Sequence, residues 1–270
     1  MLVLIKQMKH IQTTSLFCLV LYVLSFNAIA QSKADTVLID AGKVNTRVLK
    51  PSINRYLVYF KMGKDSARSR PQFWTRTIEY TDYNGKAAIA VIQEWEDRDT
   101  IAHIVKSICD KETFTPLYHK SWWRTSPAGE FDFMNKTASL NGIPLSDADT
   151  ARNRKGPWEA FKKATAQYVL NWHLDLEVFP ILPYKEGKTF LIPFYDPGWS
   201  APKNEAYTVS GSGLLTGYND QKIDCWLLTH ESRGFKETFW ISKKSKEVLK
   251  LEQEIGKDRW RYKIKLGFSV

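Results

Sequence analysis

Histidine and cysteine are the scarce residues of this 270-residue chain, which holds five and three of them. Their scarcity excludes whole classes of chemistry. His103, His119, His173 and His230 lie far apart along the chain, and none has the H-E-x-x-H spacing of a helix-borne zinc site. His230-Glu231 lacks a second histidine four residues on. Cys109 and Cys225 have no neighbouring His or Cys, which argues against zinc. Gly211-Ser212-Gly213 is not a G-x-S-x-G nucleophile elbow; small residues inside a strand mark a bulge or close packing instead. Glu94, Glu96, Asp97 and Asp99 cluster at a strand end, but Arg98 sits among them and no glycine shapes a calcium loop. A solvated turn is the simpler reading. No catalytic residue, metal site or cofactor is expected, and an exported hydrolase would need several of these groups to converge in a cleft. Internal repeats of about 20–50 residues are lacking as well.

The N-terminus carries an uninterrupted apolar run of nine residues, Leu16 to Leu24. Lys6 and Lys9 precede Leu16-Phe17-Cys18-Leu19-Val20-Leu21-Tyr22-Val23-Leu24, and Ala28-Ile29-Ala30 follows. This is the pattern of a cleaved signal peptide over residues 1–30, leaving a single domain over 31–270 that starts at Gln31. The run is roughly half the ~20 residues of a spanning helix. Phe17 before Cys18 is too large for a lipobox, so a soluble exported protein of the periplasm or envelope surface is expected. Without residues 1–30 the formal charge falls from +10 to +8. Export and the absence of a binding motif exclude nucleic acid as a partner. Cys109 and Cys225 then remain, and an oxidising compartment permits a disulfide between them; two buried free thiols are the alternative.

What the chain has in quantity is alternation broken by turns. Arg259-Trp260-Arg261-Tyr262-Lys263-Ile264-Lys265-Leu266 reads as a strand with Trp260, Tyr262, Ile264 and Leu266 on one face and the four cations on the other. The apolar face is expected inside. The basic face, with Lys243, Lys244, Lys246 and Lys250 nearby, is read either as a dock for anionic lipid or as protection of an edge strand, the latter preferred. Asn84-Gly85 and Asn141-Gly142 mark two-residue hairpins. The first joins strands over Phe73–Tyr80 and Ala87–Trp95, the second follows a strand over Phe131–Leu140. Ala87 to Ile92 is apolar on both faces, so its strand belongs in the middle of a sheet.

One stretch has a different period. Between Pro157 and Phe179, the residues of one stripe recur at steps of three and four: Trp158, Phe161, Thr165, Tyr168, Trp172, Leu176 and Phe179. This predicts one helix of roughly six turns, opened by Pro157 and ended by Pro180. Strands before and after a helix with one apolar stripe predict an α+β, mainly β fold, with a curved antiparallel sheet wrapped around the helix as a half-barrel.

The segment from Thr238 to Lys250 resembles the closing hairpin of exported domains of unknown function in Gram-negative bacteria, through Thr238, Trp240, Lys243, Leu249 and Lys250. Those domains are similar in fold to the periplasmic lipoprotein carriers and their outer-membrane receptor. The resemblance implies a half-barrel whose helix stands off the sheet. Trp158, Tyr168 and Trp172 would then face Trp240, Trp260 and Tyr262 across either a solid core or an apolar groove, with Trp199 of a Pro/Gly loop as a lid. A lipid, a lipoprotein acyl chain or an envelope protein is the partner this implies.

Overall fold

A computed structural model describes residues 35–217, 220–232 and 234–267. The expected signal peptide lies outside the described residues. From Thr36 onward the chain belongs to one compact unit. Its strands are β1 (Thr36–Leu38), β2 (Ser52–Met62), β3 (Ser69–Tyr83), β4 (Lys86–Asp97), β5 (Thr100–Asp110), β6 (Pro116–Trp123), β7 (Ser126–Asp132), β8 (Thr137–Leu140) and β9 (Ile143–Pro144). After a helical region follow β10 (Leu170–Asn171), β11 (Thr189–Tyr195), β12 (Lys203–Thr216), β13 (Lys222–Ser232), β14 (Phe235–Ser242), β15 (Val248–Ile255) and β16 (Arg259–Leu266). All belong to one sheet, in the order β1-β11-β12-β13-β14-β15-β16-β2-β3-β4-β5-β6-β7-β8-β9, with β10 beside β11. Two antiparallel meanders are thus sewn together where β16 pairs with β2. The result is the open, curved, mainly β half-barrel that the patterning predicts.

The turn chemistry holds at the hairpins. Asn84 and Gly85 adopt φ of 52° and 79°, and Asn141 and Gly142 of 50° and 76°. Both residues of such a turn need positive φ, which Asn tolerates and Gly adopts freely. The strand expected over Phe131–Leu140 is two strands. The Asp132 carboxylate accepts the backbone N–H of Asn135 at 2.9 Å and turns the chain between β7 and β8. In β12, the Gly-Ser-Gly stretch does mark irregularity: the pairing with β13 shifts register between Val209 and Gly211. Gly213 lies against the Trp240 ring, so closely that a Cβ there would sit 2.8 Å from it.

The single long helix does not form. Helix α1 covers Arg152–Thr165, with Pro157 inside it rather than at its start. Beyond Ala166 the chain extends through β10, and then turns through 3-10 helix at Trp172–Leu174, a short α2 at Asp175–Val178 and 3-10 helix at Phe179–Ile181. Asn171 explains the restart. Its side chain accepts the N–H of His173 at 2.9 Å, which caps a new turn in place of continuing the old one.

The break divides the core. Phe161, Ala160 and Ala164 of α1 pack with Phe131 and Tyr195 in a lateral cluster. The turns after Asn171 supply Leu174, Leu176, Val178, Phe179 and Ile181, which fill the concave side of the sheet. The plug is therefore a set of short turns, and the space expected between a helix and the sheet is largely solid core. Cys109 belongs to this central cluster and Cys225 to another, beside Ile223 and Leu249. Both are buried free thiols, so the bridge is replaced by its alternative.

Candidate functional site

The alternation of β16 is real, but its faces are reversed. Lys263 and Lys265 are buried. Lys263 donates to the Asp175 carboxylate at 2.9 Å, and Lys265 is bonded to Glu247. On the other surface Tyr262 stacks on both Tyr59 and Trp260, and Lys64 and Arg68 cover Trp260 and Tyr59. β16 is also no edge strand, because β15 and β2 flank it on either side. The charged row faces inward because carboxylates wait there: Asp175 of the plug for Lys263 and Glu247 for Lys265. Aromatic rings facing out keep their area covered by stacking on one another and on cations.

Register then builds two facing rows. Across β3, β4, β5 and β6 the residues Trp74, Trp95, His103 and Trp123 are direct partners. Trp74 and Trp95 stack at a centroid distance of 3.7 Å, and His103 stacks on Trp123 at 3.5 Å. Across β13, β14, β15 and β16 the partners are His230, Glu237, Gln253 and Arg261. Tyr207 stacks on His230 and reaches Glu237 with its hydroxyl at 3.3 Å. The aromatic row and the polar row bound a cavity of about 220 Å³, roofed by Trp172 and Trp199.

Ion pairs anchor the plug beneath the cavity. Arg76 of β3 donates from Nε to Glu177 at 2.9 Å and from Nη2 to the His173 carbonyl at 2.8 Å, with Asp175 3.6 Å from Nη1. Gln93 donates to the same carbonyl at 2.7 Å. Burial alone would raise the Asp175 pKa; the Lys263 ammonium and the Arg76 guanidinium outweigh it and hold the carboxyl below its usual value. Burial pushes Lys263 down. Burial likewise pushes Glu237 up and Arg261 down.

Unlike Lys263 and Arg76, Arg261 forms no ion pair among the described residues, and its Nε has no hydrogen-bond partner. Three other atoms on cavity-lining residues also lack a hydrogen-bond partner: Gln253 Oε1, Trp123 Nε1 and Asp196 Oδ1, the last 3.2 Å from His173 Nε2. Buried polar atoms of a folded protein are almost always paired, so four unpaired ones on residues around one cavity single it out as the candidate site.

Three histidines that the sequence leaves scattered meet beside this cavity. His173 lies 4.8 Å from His119 and 5.7 Å from His103, ring centre to ring centre, and its Nε2 is 3.2 Å from Asp196. His119 Nδ1 bonds with Ser107 and Asn171, and His103 Nδ1 with the Trp122 carbonyl. Burial drives His103 down to about 3 and His119 well below its usual value, so both are neutral near pH 7. His230 Nδ1 is bonded to the Ala206 carbonyl at 2.8 Å. Among the described residues no group of His, Cys, Asp or Glu has metal-binding geometry.

Of the seven aromatics expected to line a groove, Trp172 and Trp199 line the cavity, and Trp199 is 61% exposed on its loop. Tyr168 donates to the Thr113 carbonyl against the central core, and Trp158 bonds Asp147 beside α1. Trp240 packs with Leu249 and Cys225 on the face opposite Phe239. Trp260 and Tyr262 are on the outer stack. The cavity's other residues went unnoticed because only strand register aligns Trp74 with Trp95, or Gln253 with Arg261.

A family model described as "Protein of unknown function (DUF3108)" matches residues 55–264. Among solved structures, a β-barrel-like protein of the domain of unknown function DUF1849 from Brucella abortus is similar at 7% identity and a TM-score of 0.34, over 82% of this chain and 99% of that one. No curated protein matches. No helix among the described residues is long and apolar enough to cross a membrane.

Proposed function

The chain belongs to the DUF3108 family of proteins of unknown function, and we propose that it is a non-enzymatic binding protein of the cell envelope, exported by its N-terminal segment, that holds a small ligand in the cavity between its aromatic and polar rows. The observation that carries this reading is the half-buried Arg261, which forms no ion pair among the described residues and lines a cavity together with five tryptophans and the polar side chains of Gln253, Glu237 and Lys263. A guanidinium on a cavity wall is a ready contact for a polar or anionic ligand group.

The expectation of an acyl chain gives way to a polar occupant. Arg76, Lys263 and Arg261 line the cavity with Asp175, Asp196 and Glu237 as well as with tryptophans, and a wholly apolar chain would take these groups out of water without returning hydrogen bonds. An efficient general base titrates near the working pH, and burial keeps His103 and His119 far below it; His173, which lines the cavity beside Asp196, is the histidine an enzymatic role would have to use.

The test is native mass spectrometry and lipid extraction of the purified protein, beside a titration with an apolar fluorescent dye. A polar adduct and no response to the dye are expected. Co-purified lipid that resists removal overturns the polar reading. A hydrolytic activity abolished by His173→Ala overturns the non-enzymatic one. Recovery from the envelope fraction with Gln31 as first residue is the expected outcome for export.

A further inference from the structure

We propose that one end of the sheet docks on an anionic lipid surface. Three turns stand side by side there: the β2–β3 hairpin, the β13–β14 turn and the β15–β16 turn. Backbone bonds tie them into a row. The Gly63 N–H donates to the Asp258 carbonyl at 2.5 Å, and the Gly256 N–H to the Gly234 carbonyl at 2.8 Å. Six cations crowd this row: Lys61, Lys64, Arg68 and Arg70 around the hairpin, and Lys257 and Arg259 at the β15–β16 turn. All but Lys61 are exposed. The carboxylates among them are Asp65, Asp258 and Glu254, the last opposite Trp260. Among the described residues none of the six cations is paired with a carboxylate. The acids just beyond are taken, Asp97 by Arg124 and Glu231 by Lys236. Three of the cations lie over rings instead: Lys64 at 4.5 Å from the centroid of Trp260, Arg68 at 4.9 Å from Tyr59 and Arg259 at 5.0 Å from Phe60. A ring holds a cation in place without cancelling its charge. None of these cations lines the cavity.

Two large apolar side chains project among the cations. Met62 is 69% exposed and Phe235 44%. Phe235 pairs with Ile255, and Met62 with Arg259. Strands β14, β15, β16 and β2 are successive neighbours, so the two side chains stand three strand spacings apart, about 14 Å. Exposed apolar side chains set among uncancelled cations fit a surface that offers anions above an apolar layer. A soluble polyanion would engage the cations and leave Met62 and Phe235 in water.

The experiment is flotation of the purified protein with phosphatidylcholine vesicles, with and without phosphatidylglycerol, in low and high salt. Binding is expected only with phosphatidylglycerol, and it should weaken as salt rises. A Lys or Arg near an anionic surface is worth about fivefold in partitioning, so Lys64→Gln, Arg68→Gln and Arg259→Gln combined should lower it on the order of a hundredfold. Met62→Ser with Phe235→Ser should lower it about tenfold. Placement is read from an environment-sensitive dye on Met62→Cys, against the same dye on Ile53→Cys; the native Cys109 and Cys225 are buried. Ile53 is 71% exposed and lies at the other end of β2, about 30 Å away. Only the dye at position 62 is expected to shift to the blue. No binding to phosphatidylglycerol vesicles in low salt overturns the proposal, as does binding that the triple variant retains. A blue shift at position 53 and not at 62 overturns it by moving the contact to the opposite end of the sheet. Binding lost in the triple variant but unchanged in Met62→Ser with Phe235→Ser, with no shift at 62, marks a contact with anions alone and overturns the lipid surface.

Discussion

Lys263 of the last strand donates a 2.9 Å hydrogen bond to Asp175 in the helical plug, and through Asp175 it is tied to Arg76 and Glu177. Four charged side chains from β3, β16 and α2 thus form one network on the concave side of the sheet. It ties the plug to strands on two sides of the seam between the meanders, and it sits directly under the cavity.

Removing one member of such a network leaves another buried and uncompensated. Lys263→Met is expected to lower the unfolding free energy by about 3 kcal/mol, the low end for a broken buried pair, because Asp175 keeps Arg76. Arg76→Met strands Glu177 as well, and about 5 kcal/mol is expected. Urea unfolding of the two variants measures this. Equal losses would contradict the hierarchy.

Two carboxylates of this region titrate with opposite consequences. Asp175 is held below its usual value, so it contributes stability above about pH 4 that is lost as pH falls through its folded pKa. Burial raises Glu237 instead. Between its ordinary value near 4 and its raised folded value, the native state binds the extra proton, so stability falls as pH rises through that window. Glu237→Gln removes this slope and is expected to be more stable than the parent at pH 7 by about 1 kcal/mol. Thermal or urea unfolding from pH 4 to 8 shows it as a flattened profile for the variant; an unchanged slope would place the proton elsewhere.

Burial also decides the thiols. It raises Cys109 strongly and Cys225 to about 11. A thiolate is the reactive form, so neither is expected to react with a disulfide reagent in the native protein at pH 8, and both should react once it is unfolded. Counting released chromophore before and after adding guanidinium checks this. Fast native labelling at either position would mean that its cluster opens.

Much of the architecture was legible locally. Asn84-Gly85 and Asn141-Gly142 force their turns through backbone conformation alone. The apolar run from Ala87 to Ile92 places β4 inside the sheet, where β3 and β5 flank it. The alternation in β16 is equally local. Period two, however, separates two faces without saying which one is inside. Hydrophobicity pointed Trp260 and Tyr262 inward. The carboxylates of Asp175 and Glu247 reversed that choice, and Asp175 comes from a segment whose periodicity read as one continuous helix. That helix ends at Thr165, and Asn171 caps the turns that restart after it, which spacing alone does not disclose.

The candidate site depended on distant pairing still more. Trp74, Trp95, His103 and Trp123 form a row only because β3 to β6 align in one register, and Glu237, Gln253 and Arg261 only because β14 to β16 do. The residue types, the turns and the alternating strands were determined by the sequence itself, through steric and hydrophobic preferences that act over a few residues. Which face of each strand looks inward, which charges meet and where the cavity lies were decided by the tertiary structure, because each is a relation between residues far apart in the chain that only the curved sheet brings together.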